Sequence, residues 1–369
     1  MKRIAIRIPL LILLLPSCQH TTQIAGISEP MPVDSFLVKG ISVGQQVQHF
    51  QYRNDGTLSS YDKLGSEQVV FRLRGSRTYE AASKKPIQTE IWSNQFYDEA
   101  GNQYFIDREN YLAAYNQSCD SLLWSQQIYY QFPHLKDDFS IYDVNNAPIL
   151  MRGDTMICSI SHGSLDSYQA WFKEHAFSEF VLKKDTVLFL RSYMPRPAKL
   201  NEHEFPFETY YFLNNSLFVI YPPFDTLYIY NRASKTEQHV ALHNRDYHLP
   251  EKFDPLKATG PGAGSYQTHY TINNFKYASI YYNAHTKHTI LFYYAPMQKP
   301  ENGKMVNPKD QKLRALVLDE NMEHVAYYSF NKPFVYPNSF FSIPNKGIAI
   351  PLYKGNSEFE ETTFYIYDF

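Results

Sequence analysis

Thirteen histidines and several acidic clusters make a metal or acid–base site the first thing to look for. His239 and His243 have the outer spacing of a helical zinc site. Val240 follows the first histidine, however, where such a site needs a glutamate as general base. The surroundings read as strand, and at ~3.3 Å per residue the two rings start ~13 Å apart, too far to share one ion. His285 and His288 lie in NAHTKHT (283–289), which reads as a solvated turn. Ser161 and His162 are adjacent in SHGS (161–164), but no G-x-S-x-G elbow surrounds them. A nucleophile and its base also need contact in space, which adjacency in sequence does not supply. Gly260-Pro-Gly-Ala-Gly264-Ser265 has the look of a phosphate loop. It lacks the lysine that would reach the phosphates, and no helical pattern follows to present amide N–H groups. With Pro250, Pro255 and Pro261 nearby it reads as a linker.

Carboxylates gather at Glu202, Glu204 and Glu208 and again at Glu358, Glu360 and Glu361. Glycoside cleavage needs two carboxylates facing one bond from opposite sides, which a local cluster does not provide. Both groups read as solvated inter-strand loops. Asp98–Asn102 and Asp143–Asn146 lack the full calcium-loop pattern and read as turns. No catalytic residue, metal ligand or cofactor is therefore assigned.

The elements that would position these groups are strands. Helical periodicity is confined to Ser167–His175, with Asp166 or Ser167 as N-cap. Elsewhere short apolar and aromatic runs alternate with turn clusters. Hairpins are expected from 104–106 with 111–115, 149–152 with 155–160, and 217–221 with 227–230. Three more come from 280–282 with 290–294, 313–318 with 325–330, and 347–352 with 364–367. A motif recurs along the chain: GDTMICSI (153–160), KDTVLFLR (184–191) and FDTLYIYN (224–231). CDSLLWS (119–125), KHTILFYY (287–294) and ETTFYIYDF (361–369) are looser echoes. In TLYIY, VLFL (187–190) and FYIY (364–367), alternate side chains are apolar or aromatic on both faces. A half-exposed sandwich strand would alternate apolar with charged residues. Strands covered on both faces suit the stacked blades of a propeller.

The last stretch supplies three strands and lacks an outer fourth. The meander at 46–73 contains the hairpin turn Asn54-Asp55-Gly56. Its strand Val69–Leu73 is the expected closing strand, because pairing the two ends of the chain removes free edges. The expected fold is all-β: a propeller over 45–369 with about six blades of ~50 residues each. Five and seven blades are the alternatives, because the echoes are unevenly spaced.

MKRIAIRIPLLILLLPSC has the layout of a secretory signal, with Lys2, Arg3 and Arg7 before a short apolar run. That run is far below the ~20 residues of a spanning helix. The small residue before Cys18 resembles a bacterial lipoprotein signal, which implies a signal over 1–17, acylation of Cys18 and a polar tether over 18–44. Tether and anchor place the protein in the cell envelope as an outer-membrane lipoprotein, with the periplasmic and surface faces both open. Removing residues 1–17 takes three of the 35 basic residues against 37 acidic ones, for a formal charge of about −5. Scattered charge of this sign argues against a nucleic-acid partner. The basic group Arg72, Arg74, Arg77, Lys84 and Lys85 reads as a solvated strand edge. Cys119 and Cys158 sit beside apolar strand residues and read as buried thiols, with a disulfide as the alternative.

The signal, the length, the Tyr- and Phe-rich body, LFVIYPPFDTLYIYN (217–231) and the terminal ETTFYIYDF together resemble an uncharacterised Bacteroidetes lipoprotein group. This is domain-of-unknown-function family 4221 or a close relative. The resemblance implies a six- or seven-bladed propeller and carries no catalytic residues. Asp-Ser/Thr-apolar at Asp120, Asp154, Asp185 and Asp225 resembles a Bacteroidetes O-glycosylation acceptor, although turn chemistry explains all four. Two functions follow. One is an envelope binding module for a glycan, peptide or envelope protein, for which Tyr193, Phe205, Phe207, Tyr247 and Tyr266 could stack on sugars. The other is a propeller hydrolase or lyase acting on a polysaccharide or peptide.

Overall fold

The computed structural model describes residues 26–39, 49–53, 55–62, 67–86, 94–98, 100–106, 111–116, 121–127, 139–141, 149–162, 175–183, 186–203, 208–297, 311–331, 340–351 and 361–369. The chain opens with β1 (Asp34–Lys39), β2 (His49–Tyr52), β3 (Leu58–Asp62), β4 (Glu67–Arg74) and β5 (Thr78–Pro86). A four-stranded antiparallel meander follows, made of β6 (Asn94–Tyr97), β7 (Gln103–Ile106), β8 (Tyr111–Tyr115) and β9 (Leu122–Gln127). In the next sheet β10 (Phe139–Ile141) and β11 (Leu150–Arg152) pair with different parts of β12 (Thr155–His162). β13 (His175–Lys183) and β14 (Thr186–Pro195) complete it.

Two further meanders are β15 (Thr209–Leu213), β16 (Ser216–Ile220), β17 (Thr226–Asn231), β18 (Thr236–Ala241) and, after helix α1 (Ala263–Asn273), β19 (Lys276–Asn283), β20 (His288–Tyr294), β21 (Leu313–Leu318), β22 (His324–Ser329). The chain ends in β23 (Phe341–Ile343), β24 (Gly347–Pro351) and β25 (Glu361–Tyr367). These three strands join the first five in one curled sheet of order β2-β3-β4-β5-β1-β25-β24-β23. All six expected hairpins form. The Asp55-Gly56 turn also forms, with Gly56 at φ +79° and the Arg53 N–H donating to Thr57 O.

The result is an all-β, propeller-like stack in which apolar clusters fill the spaces between successive sheets. Phe96, Ile106 and Leu112 meet Met156, Cys158 and Phe180 between the β6–β9 and β10–β14 sheets. Phe177, Tyr193 and Ile157 meet Tyr210, Leu217 and Tyr221 at the next seam. Tyr211, Phe218 and Leu227 then meet Tyr277, Leu291 and Leu316. Phe292, Val317 and Phe330 meet Ile348, Ile350 and Tyr367. Phe36, Phe341 and Phe364 meet Phe50, Leu58 and Phe71 inside the curled sheet. β15 shows why both faces had to be apolar: Tyr210 and Phe212 fill one seam while Tyr211 and Leu213 fill the next.

Four expectations are corrected. The partner of β25 is β1, with Asp34 opposite Ile366 and Lys39 opposite Glu361. Val69–Leu73 instead lies in β4, between β3 and β5. Asp34–Lys39 therefore belongs to a sheet, although its flanking polar residues read as tether. VLFL is covered on one face only: Val187 is buried, while Leu188 and Leu190 are exposed on edge strand β14. Alternation reports what a face offers, and an edge strand has fewer neighbours to cover it. Of the helix expected over 167–175, residues through 174 lie outside the described residues and His175 opens β13. Helix α1 begins at Ala263, inside the Gly260–Gly264 stretch that read as a linker with no helix after it.

The β23–β24 hairpin turns at Gly347, whose φ is +122°. A Cβ there would lie 2.2 Å from the Tyr367 carbonyl oxygen of β25. Gly347→Ala is expected to lower the unfolding free energy by roughly 3 kcal/mol, from backbone strain plus displacement of β25. Urea unfolding followed by tryptophan fluorescence measures it, and a loss within error of zero would contradict this geometry.

Candidate functional site

The polar residues that could do chemistry concentrate where residues 242–275 leave β18 and return to β19. Asp225, at the start of the TLYIY strand, is the first anchor. The Tyr277 hydroxyl donates to Asp225 Oδ1 at 2.7 Å, and the Asn244 amide N–H donates to Oδ2 at 3.0 Å. Asn244 Nδ2 also donates to the Tyr277 oxygen at 3.2 Å. Burial pushes the Asp225 carboxyl up, and the hydrogen bonds from Tyr277 and Asn244 offset only part of that. Burial and the Asp225 charge push the Tyr277 phenol well above its ordinary range.

Asp246 is the second anchor. It accepts from the Tyr293 hydroxyl at 2.6 Å and from Arg314 Nη1 at 2.6 Å. His324 Nε2 bonds Leu242 O, so its Nδ1 is the acceptor for the Tyr327 hydroxyl at 3.1 Å. The Tyr327 oxygen in turn accepts the Arg245 amide N–H at 3.4 Å, and the Arg245 guanidinium lies 5.1 Å from the Tyr327 ring centroid. Tyr247 donates to Pro223 O at 3.2 Å.

The second half of the excursion rests on a 3-10 helix, Ala198–Glu202. Phe253 N–H donates to Glu202 O at 2.8 Å, and Lys252 pairs with Glu202 at 2.9 Å. The Tyr270 hydroxyl donates to Glu251 O at 2.8 Å, and buried His203 lies 3.3 Å from the same oxygen. Burial pushes the His203 imidazole down, which favours its neutral form. Helix α1 carries Gly264 and two β-branched threonines, and neither residue type favours helix. Packing makes it helical instead. Tyr266 and Tyr270, one turn apart, sit 5.6 and 5.1 Å from the Phe253 ring. Asn274 Nδ2 donates to Tyr270 O at the helix end, and its Oδ1 accepts the Glu251 N–H.

Beneath this region lies a buried ion pair. Arg196 Nη2 is 3.2 Å from Glu208 Oε1, and the Ser159 hydroxyl donates to the same carboxylate. Glu208 Oε2 and the Tyr221 hydroxyl, both buried, have no hydrogen-bond partner among the described residues. A second acid, Glu179, is held by Arg191 at 3.0 Å and by Arg232. Arg191 also lies 5.5 Å from the Tyr193 ring, which stacks on Tyr230 at 4.6 Å.

The structure disperses most of the residues singled out by spacing. His239 lies on β18 beside Glu237, with its ring 4.7 Å from Tyr228. His243 follows the strand at φ +49°. Among the described residues no group of three His, Cys, Asp or Glu side chains could hold a metal ion. Ser161 and His162 end β12, opposite Ser140 and Phe139 of β10. The 283–289 turn is more than a solvated loop. His285 Nδ1 lies 2.9 Å from Asp368 Oδ2, Asn283 donates to Asp368 Oδ1 at 2.9 Å, and His288 Nδ1 lies 3.0 Å from the Phe369 oxygen. Glu208 is likewise no solvated loop residue, because it is paired inside the core. Tyr193 is buried, the Tyr247 hydroxyl donates to Pro223 O, and the Tyr266 hydroxyl accepts the Asp254 N–H.

Asp98 forms its expected turn, accepting from Asn102 N–H at 2.8 Å. Asp154 sits in an exposed turn, and Glu361 pairs with Lys39 at 3.8 Å. Arg72, Arg74 and Arg77 are exposed, as a strand edge requires. Cys158 is a free buried thiol whose pKa is pushed up by burial. Cys18, Cys119, Asp120, Asp143–Asn146, Asp185, Glu204, Phe205, Phe207, Glu358 and Glu360 lie outside the described residues.

No family model matches the chain, and no curated protein matches it. The fold is similar to that of a DUF4221 family member from Bacteroides vulgatus, with TM-score 0.65 and 14% identity over 92% of this chain and 98% of that one. It is also similar to a Bacteroides fragilis protein described as exported, with TM-score 0.53 and 13% identity over 93% and 99%. The resemblance drawn from the sequence is thus matched in the fold. No helix among the described residues is long and apolar enough to cross a membrane.

Glu208→Ala leaves the Arg196 charge buried without its partner and is expected to cost about 3–5 kcal/mol in urea unfolding. The double replacement Arg196→Met with Glu208→Leu is expected to recover most of that loss, which a purely steric role for Glu208 would not allow. For Glu179, burial raises the pKa, but hydrogen bonds and charge from Arg232 and Arg191 outweigh it and hold the carboxyl below its ordinary 4.5. A carboxyl depressed by folding contributes stability that is fully present above its unfolded pKa and lost as pH falls through the folded one. The stability gap between wild type and Glu179→Gln is therefore expected to be flat at neutral pH and to shrink below 4.5. A gap independent of pH from 7 down to 3 would count against the pairing.

Proposed function

We propose that the chain is an envelope lipoprotein, acylated at Cys18, whose closed six-bladed propeller acts as a binding module. Its partner is a glycan, a peptide or an envelope protein. The strand grouping supports six blades: β2–β5, β6–β9, β10–β14, β15–β18, β19–β22, and β23–β25 with β1. Pairing of β1 with β25 supports closure, as does the apolar cluster between the first and last groups.

The observation that carries the binding reading is the excursion over 242–275. Connections in compact domains run about 2–6 residues, and longer ones usually serve function or are slack. This one is not slack: Asp225, Tyr277, Tyr293, Tyr327 and Glu202 hold it from below. Its outer surface nevertheless leaves Leu256 83% exposed, three residues beyond Phe253, whose ring packs on Tyr266 and Tyr270. A rigid scaffold presenting an apolar side chain on a fastened loop is the arrangement recognition sites use.

Glycan and peptide arrays probed with the full chain in detergent test this reading, with Leu256→Glu and Gln267→Glu as comparisons. The expected result is a bound class whose affinity Leu256→Glu lowers about tenfold, the ~1.4 kcal/mol of a central interface contact. A binder insensitive to both substitutions moves the site elsewhere, and no binder on either array removes the glycan and the peptide and leaves an envelope protein, which co-purification from native envelopes then has to supply for the reading to stand.

A further inference from the structure

At the end of β17 and β18 away from the excursion, turns from two neighbouring sheets bring arginines together. Arg232 opens the turn between β17 and β18, beside the pair Asn231 and Thr236, whereas the excursion leaves from Ala241 at the other end. Its N–H donates to Asn215 O in the β15–β16 turn at 2.8 Å. Arg152 ends β11, and its Nη1 donates to Asn214 O in that same turn. The two guanidiniums share one ring: Arg152 lies 5.1 Å and Arg232 5.5 Å from the Phe212 centroid. Arg191 joins through Glu179, which accepts from Arg191 Nε at 3.0 Å and from Arg232 Nε. Direct contacts thus run unbroken from Arg152 through Phe212, Arg232 and Glu179 to Arg191.

The charges of this group do not balance. Its three guanidiniums are always protonated. The one carboxylate among them is Glu179, whose side chain is 1% exposed and which the arginines hold ionised. Two positive charges remain. Asp154, in the turn after Arg152, bonds the Thr155 hydroxyl, and Glu237, opposite Tyr230, pairs with His239. Neither acid forms an ion pair with the three arginines. Lys235, in the same turn as Arg232, and Lys183, at the end of β13, are exposed and add charge of the same sign.

Donors remain as well. Arg152 Nε and Nη2, Arg191 Nη1 and both Nη nitrogens of Arg232 have no hydrogen-bond partner among the described residues. The group reaches water: Arg152 is exposed, and the Arg191 and Arg232 side chains are 30% and 15% exposed. Ring contacts and Glu179 already hold the guanidiniums, so little ordering is left to the moment of binding.

We propose that this end of the seam is an anion site for a dianionic phosphate group, with Arg152, Arg191 and Arg232 as its donors. A phosphate monoester carries about −1.5 to −2 at pH 7, which matches the uncompensated charge. Guanidinium forks also fit phosphate oxygens in pairs. A single carboxylate or a phosphodiester would leave half of that charge unmatched. The site lies outside the excursion and depends neither on the anchor nor on the binding surface proposed there. Two sources carry the group, free inorganic phosphate and a sugar phosphate.

Calorimetry of the full chain in detergent, in phosphate-free buffer at fixed ionic strength, tests the site with inorganic phosphate, glucose 1-phosphate and sulfate. Expected is saturable binding of one phosphate per chain. Arg152→Gln is expected to weaken it about tenfold, the loss of one charge-assisted contact, and Arg74→Gln on exposed β4 to leave it unchanged. Arg152 makes a single polar contact, so Arg152→Gln is expected to unfold close to the wild-type urea midpoint. Wild-type affinity is expected to fall as pH drops from about 7.5 to about 5.5, because phosphate regains its second proton near pH 6. Protonation of His239 adds positive charge and opposes that fall, so it cannot imitate it. Tighter binding of glucose 1-phosphate identifies a sugar phosphate as the source, and equal or weaker binding identifies the free ion. Sulfate bound as tightly as phosphate at the higher pH overturns the phosphate assignment. No saturable heat from either phosphate overturns the site, as does binding that Arg152→Gln leaves intact.

Discussion

A strand that is apolar on both sides must be covered on both sides, and that one requirement organises the molecule. A sheet of such strands cannot stand alone in water, and a single partner sheet leaves half of it wet. Stacking sheets face to face satisfies every member except where the stack ends. The curled sheet deals with the ends by joining β1, from the start of the chain, to β25 at its close. β1 also runs parallel to β5 on its other edge, so this one strand joins β2–β5 to β23–β25 in a single sheet.

The choice of aromatic residues has a second consequence. Tyrosine and phenylalanine fill the wide seams with few side chains, but each tyrosine carries a hydroxyl that needs a partner once buried. Backbone carbonyls inside the sheets are already committed to the ladders. The hydroxyls turn instead to carboxylates and loop carbonyls: Tyr277 to Asp225, Tyr293 to Asp246, Tyr270 to Glu251 O, and Tyr281 to Phe340 O. Asp225 and Asp246 are thus acceptors for core phenols. Asp225 is the clearest case. It begins as the recurring aspartate of a strand-starting motif and ends as the bolt between blade and excursion.

Strand content and hairpin pairing were legible because they rest on local patterns, a two-residue period and turn residues. The hairpin at 217–230 needed nothing beyond LFVIY, PPFD and TLYIY. The closing strand was misassigned because DSFLVK is short and follows polar residues, and what selects it is the edge that β25 leaves open. Helix α1 was missed because AGSYQTHYTIN has weak intrinsic preference, and its signal is the pair Tyr266 and Tyr270 waiting for Phe253. Glu208 looked like one of three loop acids. Only the fold reveals Arg196 beside it, since twelve residues separate the two in sequence. The missed features share one property: each depends on a partner far along the chain, and no local window contains it.

The fastenings are unevenly distributed, which bears on how the molecule can move. Five seams are filled by large apolar clusters. On the β2–β5 and β6–β9 groups, the Ser59 and Tyr97 hydroxyls meet at 2.8 Å, the Arg53 guanidinium lies 5.9 Å from the Tyr97 ring, and Phe105, Ala113 and Tyr115 form a smaller buried apolar cluster. The Ser28–Tyr328 bridge, the excursion, the 3-10 helix and the His285–Asp368 contact all gather around the sheets from β12 to β25. The excursion is fastened to the sheets on both sides of it, by Asp225 and Tyr277 and by Tyr293, Tyr327 and Arg314. Recognition by a preformed surface requires that arrangement, since any ordering left to the moment of binding would subtract from affinity.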